Sequence, residues 1–184
     1  WIIHYPGKDN VFGRTSIEFI DDQSNPMGLD PDDENGIDDI VETNNLYLPI
    51  GRPVVIHLTS RDVIHSFAIP VMRVKQDAIP GLSIPTWFTP TSTNRLTQKA
   101  FVGIVDNPNK LMNHLIDIGY VEKDGYLTDS FKPLAKPEDM IKLDESYKEK
   151  QGMIYRALSK VNWQIACAQL CGLGHYRMRG NVRV

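Results

Sequence analysis

The sequence predicts a mostly β domain interrupted, ahead of its C-terminal strands, by an α-rich insertion. Three observations predict it. Residues 44–92 alternate apolar and polar positions and are cut into short runs by prolines, the pattern of half-buried strands joined by bends. Residues 107–160 change to apolar residues at helical spacing. Beyond them, "NWQIACAQL" and "GNVRV" return to strand character.

Taken in order, "VFGRTSIEFI" ends in alternating Ile17 and Phe19, a strand signal. Residues 21–42 are rich in Asp, Asn, Pro and Gly and read as a long surface loop. In "NNLYLPIGRPVVIHLTS", Val54, Ile56 and Leu58 share one strand face while Val55, His57 and Thr59 share the other. "DVIHSFAIPVMRVKQDAIPG" is apolar and β-branched but broken at Pro70 and Pro80, which gives short strands with bends; "PTWFTPT" is a further short strand. Leu111, Leu115 and Ile118 recur at helical spacing, with Asn107 as cap and Gly119 as stop. A second helix is expected from about Pro137 to Lys160, with Glu138 and Asp139 at the positive end of its dipole and Gly152 weakening or dividing it.

The chain has 184 residues, 41% apolar and 23% charged, enough for one sizeable core, and is expected to form a single domain over 1–184 with an insertion at about 94–160. No run approaches the ~18 apolar residues of a membrane span, and no signal-peptide pattern opens it. Both ends read as cut, so neither absence speaks for the whole gene product. The net charge of −3 is unevenly spread: ten of the 23 acids lie between Arg14 and Arg52, where no Lys or Arg occurs. That acidity disfavours nucleic acid as a partner. Two readings remain for the stretch: a solvated loop, or a docking surface for a basic partner that includes Asp32, Asp33, Asp38 and Asp39. A calcium loop in "DPDDENGIDDIV" fails, because the glycine comes one place late and Val41 stands where a bidentate Glu belongs.

The chemistry concentrates in "CAQLCGLGHYRM", spaced C-x3-C-x3-H-x2-M. Sulfur donors favour copper, zinc or iron–sulfur clusters, and imidazole suits copper and zinc. Three readings compete. A Cys167–Cys171 disulfide would close a short loop of little stabilising value and leave His175 and Met178 unexplained. Structural zinc would accept Cys and His but has no use for a thioether. Copper uses the whole set. Two cysteines four apart can bridge two coppers, and such a core needs a second imidazole. His65, at a strand end, is a candidate that competes evenly with a purely structural role; His4, His57 and His114 have weaker contexts and read as non-ligands.

"DVIHSFAIPVMRVKQDAIPG", followed about 100 residues later by "CAQLCGLGHYRM", resembles the periplasmic CuA domain of cytochrome c oxidase subunit II, of the bacterial haem–copper oxidase type. The resemblance covers residues 44–92 and 161–184 and implies a Greek-key β-sandwich of the cupredoxin type. It implies a binuclear copper centre with Cys167 and Cys171 as bridging thiolates and His65 and His175 as terminal imidazoles. Met178 and the backbone carbonyl of Gln169 would be weak ligands, one on each copper. Asp62 and Ser66 flank the first histidine and would orient the strand end; Asp77 and "AIPG" would be structural.

The resemblance further implies an electron-transfer subunit of an oxidase: electrons arrive from a c-type cytochrome and pass to haem in subunit I, where oxygen is reduced. It implies the periplasmic face of the bacterial inner membrane, held by a pair of N-terminal helices that this sequence does not include. Asp62 would join the acidic stretch in docking the cytochrome. Three departures stand out. Gln169 replaces the Glu that in many members joins a magnesium or manganese site, which puts that second metal in doubt. Trp1 is the only remnant of an aromatic cluster for electron uptake. The insertion exceeds the usual short connection, and reads either as a docking element for an additional subunit or cytochrome or as a surface elaboration. The alternatives are the CuA domain of a nitrous-oxide-reductase-like protein and a non-redox domain that is zinc-bound or metal-free.

Overall fold

The computed structural model describes residues 1–131 and 143–184. Among these, the strands are β1 (Ile2–Tyr5), β2 (Ile40–Thr43), β3 (Asn45–Tyr47), β4 (Val54–Leu58), β5 (His65–Ile69), β6 (Val74–Ala78), β7 (Ile84–Phe88), β8 (Gln164–Cys167) and β9 (Arg179–Arg183). Helices α1 (Pro108–Asp117) and α2 (Gln151–Val161) fall between β7 and β8. A five-stranded sheet runs β3-β9-β8-β5-β6, and β4-β7 and β1-β2 form two-stranded sheets. All the pairs are antiparallel except β3–β9.

The alternation in β4 decides its orientation. Val54, Ile56 and Leu58 turn toward the core while Val55 and His57 are exposed. They meet Leu46, Phe67, Ile69, Ala78, Ile165 and Val182 from the larger sheet, so the two sheets share one apolar interior, a β-sandwich. Pro70 and Met72 bound the turn between β5 and β6, and Arg73 takes a left-handed conformation (φ 56°) to finish it. Residues 96–158 enclose a separate apolar cluster that includes Leu96, Phe101, Leu111, Leu115, Ile154 and Leu158. As expected, Asn107 caps α1, its side chain accepting from the Lys110 N–H, and Gly119 ends it with φ 75°.

Three expectations change. Ile17–Phe19 forms a single 3-10 turn capped by Ser16: Ile17 is 83% exposed, so the segment has no face to bury as a strand. The expected loop 21–42 ends early, because Ile40 already opens β2, whose partner β1 lies 35 residues upstream. The second helix starts at Gln151 after a 3-10 stretch, Glu145–Lys150, so the division falls just before Gly152; Pro137, Glu138 and Asp139 lie outside the described residues.

A buried amide stitches the insertion to the sandwich. Asn94 donates to the carbonyls of Val161 (3.1 Å) and Val182 (2.7 Å) and accepts from the Val184 N–H at 3.0 Å. Nearby, Arg183 makes a two-pronged contact with Glu122 at 2.7 and 2.8 Å, its guanidinium stacked against Tyr47 and Tyr126.

Candidate metal centre

β5 and β8 are neighbours with Phe67 opposite Cys167, which brings His65, two residues earlier, to the cysteine end of β8. The chain then leaves the sheet in a loop that turns at Gly172 (φ 125°) and returns through a 3-10 turn, His175–Arg177, into β9. The result is a pair of sulfurs ringed by other donors. Cys167 Sγ and Cys171 Sγ are 3.6 Å apart, and both thiols are free, which disposes of the disulfide in this structure. His65 Nδ1 lies 3.9 Å and the Gln169 carbonyl 3.1 Å from Cys167 Sγ. His175 Nδ1 lies 3.4 Å and Met178 Sδ 3.2 Å from Cys171 Sγ. His65, Cys167 and Cys171 each offer a ligand atom within 4.8 Å of the others.

The histidine on the sheet is held from behind. Asp62 Oδ1 lies 2.7 Å from His65 Nε2. The Asp62 carboxyl sits below the usual carboxylate range, chiefly because of that bond and with help from the Val63 N–H. An ionised carboxylate only accepts, so Nε2 carries the proton and Nδ1 turns its lone pair toward the sulfurs. Burial works against a charged His65, but Asp62 and Cys167 outweigh it and raise its pKa.

The two thiols are unequal. Burial opposes ionisation of Cys167, yet hydrogen bonds, first from the Ser66 N–H at 3.5 Å, bring it down to about 7. Burial pushes Cys171 up, and the neighbouring Cys167 pushes it further. The Ser66 contribution comes from a backbone N–H, so nothing in the side-chain sequence announces it. Its hydroxyl is buried without a partner among the described residues.

The acids considered for docking divide. Asp39 is fully shielded and bonded to His4 Nε2 (2.5 Å) and to the N–H groups of Gly7 and Gly13; Asp33 accepts from the Arg14 N–H at 2.8 Å and is also largely covered. Asp32, Asp38 and Asp62 remain exposed. Trp1, at the start of β1, stands edge-on to His65 with ring centres 6.3 Å apart.

Residues 26–97 match the family described as cytochrome C oxidase subunit II, periplasmic domain. The alternative cytochrome c oxidase subunit 2 of Bradyrhizobium diazoefficiens is 44% identical over 94 residues, 50% of this chain and 34% of that protein. Over these matched residues the chain is similar to the periplasmic domain of cytochrome c oxidase subunit II. Cytochrome c oxidase subunit 2 of Thermostichus vulcanus shares 50% identity over 46 residues, 25% of this chain and 14% of that one. Among solved structures, the periplasmic domain of subunit II of cytochrome oxidase from Bradyrhizobium japonicum covers 78% of this chain and 55% of its own at 21% identity, with a TM-score of 0.39. The subunit II family match includes Asp62 and His65 and ends at residue 97, at the start of the insertion, so the cysteine half of the centre rests on its own geometry. The chain thus spans about a third of the Bradyrhizobium diazoefficiens subunit II. No helix among the described residues is long and apolar enough to cross a membrane.

Proposed function

We propose that this chain is the electron-uptake domain of a haem–copper oxidase, holding two copper ions between Cys167 and Cys171. His65 and His175 would complete the site as imidazoles, and Met178 and the carbonyl of Gln169 as weak donors. One observation carries the reading: two free sulfurs 3.6 Å apart are flanked by two imidazole nitrogens, a thioether and a carbonyl, supplied by segments about 100 residues apart. The donor set fits copper, since soft sulfurs and imidazoles are what it prefers, and it offers nothing of the oxygen-rich shell of a hard cation. When bound, a pair of coppers would share one electron's charge over both ions and so would change little on reduction.

The residues of the chain do the rest. Asp62 fixes the tautomer and angle of His65, the Ser66 N–H stabilises the Cys167 thiolate, and β5, β8 and β9 keep the donors from rearranging. Electrons would come from a c-type cytochrome and leave for haem in subunit I; the domain would face the periplasm, anchored by helices outside this sequence. Asp32, Asp38 and Asp62 are the exposed acids that would meet a basic cytochrome. The insertion would offer a docking element for an additional subunit.

Metal analysis and electron paramagnetic resonance of the copper-loaded chain test this. The expected result is two coppers per chain with a mixed-valence signal spread over both ions. A single copper with the spectrum of an isolated ion, or stoichiometric zinc in native material, would overturn it.

A further inference from the structure

Asp39 lies outside the metal centre, yet its side chain is fully enclosed. It accepts from His4 Nε2 at 2.5 Å, the Gly13 N–H at 2.8 Å and the Gly7 N–H at 3.1 Å. The chain around it has no slack. A Cβ on Gly7 would stand 2.1 Å from the carboxyl carbon of Asp38, and one on Gly13 2.4 Å from the Gly36 Cα. Phe12 closes over His4 with ring centres 4.8 Å apart.

The knot sits at one end of a short ribbon. β2 begins at the residue after Asp39 and pairs with β1 from Tyr5–Ile40 to Ile2–Thr43. The Tyr5 hydroxyl accepts from the Tyr47 N–H at 2.7 Å, which ties β1 to β3. At the other end Asn44, in a left-handed conformation (φ 61°), donates its N–H to the Trp1 carbonyl at 2.8 Å. Trp1 then stands edge-on to Phe67 (5.6 Å) and to His65 (6.3 Å). His65 is therefore bounded by Asp62 and by the Trp1 indole.

We propose that Asp39 is a positioning residue for the metal centre: it locks the far end of the β1–β2 ribbon, and the ribbon's register sets Trp1 against His65. A one-residue slip in so short a ribbon would turn every β1 side chain to the other face and remove the indole from the histidine. The acidic stretch thereby has an internal task as well as any external one. The value of the contact to electron transfer rests on the copper reading; the contact itself does not, and it is tested without metal.

The test follows the ring proton resonances of His65 in the metal-free full chain. Trp1→Ala removes the indole ring current and supplies the reference shift. Asp39→Ala should move the His65 signals in the same direction, and Asp39→Asn, which keeps an acceptor oxygen, should restore part of the shift. Gly13→Ala loosens the same knot by collision and should reproduce the effect, while methyl signals of Leu111 in the insertion stay in place. Unmoved His65 signals in both Asp39→Ala and Gly13→Ala overturn the proposal, as does an unmoved signal in Trp1→Ala. A chain that never loads copper would defeat the function proposed above and leave these metal-free outcomes intact.

Discussion

Asp62 Oδ1 holds His65 Nε2 at 2.7 Å, and that bond leaves His65 Nδ1 facing Cys167 Sγ at 3.9 Å. A single exposed carboxylate thus sets both the tautomer and the aim of a half-buried ring. The consequence is measurable. Removing a carboxylate that holds a ligand histidine costs about 10–100-fold in metal affinity. Asp62→Ala should weaken copper binding by that order in a chelator competition while the binuclear spectrum persists, whereas His65→Ala should abolish the spectrum. Equal loss in both variants would make Asp62 a ligand; no loss in Asp62→Ala would make the contact incidental.

The inequality of the two thiols predicts a pH dependence. Cys167 titrates at about 7, held down by hydrogen bonds that outweigh its burial, and Cys171 is pushed the other way. In the metal-free Cys171→Ser variant, which keeps a hydroxyl near Cys167, thiolate absorbance should rise with a midpoint near pH 7. A midpoint at the ordinary value of ~8.5 would mean that the Ser66 N–H and His65 do not stabilise the thiolate.

The carboxylates in the acidic stretch predict how the fold responds to acid. Burial alone would raise Asp39, but the Gly13 N–H, His4 and the Gly7 N–H outweigh it, and its pKa falls below the ordinary range. Asp33 is lowered first by the Arg14 N–H, and Asp21 by Ser24. A carboxylate whose folded pKa is depressed contributes stability above its unfolded value of ~3.9 and loses it as pH falls through the folded one. Urea melts should therefore show a steep loss of stability below about pH 4, and Asp39→Asn should flatten that limb. At pH 7, Asp39→Ala strands the N–H groups of Gly7 and Gly13, at about 1–3 kcal/mol each. An unchanged acid limb in Asp39→Asn would assign the acid sensitivity to other groups.

How far the sequence reaches is visible in these same residues. The candidate donors are legible because four side chains, Cys167, Cys171, His175 and Met178, sit on one loop at fixed spacing, and the signature around His65 singles out a second imidazole that β5 brings beside them. β4 is legible because alternation is local. The β1–β2 ribbon is not, since its partners lie 35 residues apart and pairing is a property of two segments together. Ile17–Phe19 misleads for the opposite reason: the alternation is present, but among the described residues nothing covers the apolar side. Asp39 hides in a run of acids whose composition looks solvated, because enclosure depends on where Gly7 and Gly13 bring the backbone.

Exposure sorts the acids for docking. Asp32 and Asp38 face solvent, although Asp38 also accepts from the Lys8 N–H, while the carboxylates of Asp33 and Asp39 are largely covered and bound to the chain's own backbone. Asp32→Asn with Asp38→Asn should slow reduction by a basic c-type cytochrome at low ionic strength, and the difference should vanish as salt shortens the screening length to ~8 Å. Asp33→Asn should act on stability and leave the salt dependence alone. An unchanged salt dependence in the Asp32/Asp38 pair would return the stretch to a purely structural role.

The insertion has an apolar cluster of its own, and that separates its stability from the chemistry. Leu111 and Leu115 of α1 are fully buried among Phe101, Ile154 and Leu158, none of which belongs to the sandwich core. Leu111→Ala should cost about 2–5 kcal/mol locally, the usual range for a buried leucine truncated to alanine. Hydrogen exchange should accelerate across α1 and α2 while β5 and β8 keep their protection and the copper spectrum is unchanged. Asn94→Ala should behave differently. It removes the amide shared by Val161, Val182 and Val184, so it loosens the insertion and β9 together. β9 starts one residue after Met178, so this variant should also broaden the spectral features that depend on the thioether. If Leu111→Ala disturbs the copper spectrum as much as Asn94→Ala does, the insertion and the metal centre fold as one unit.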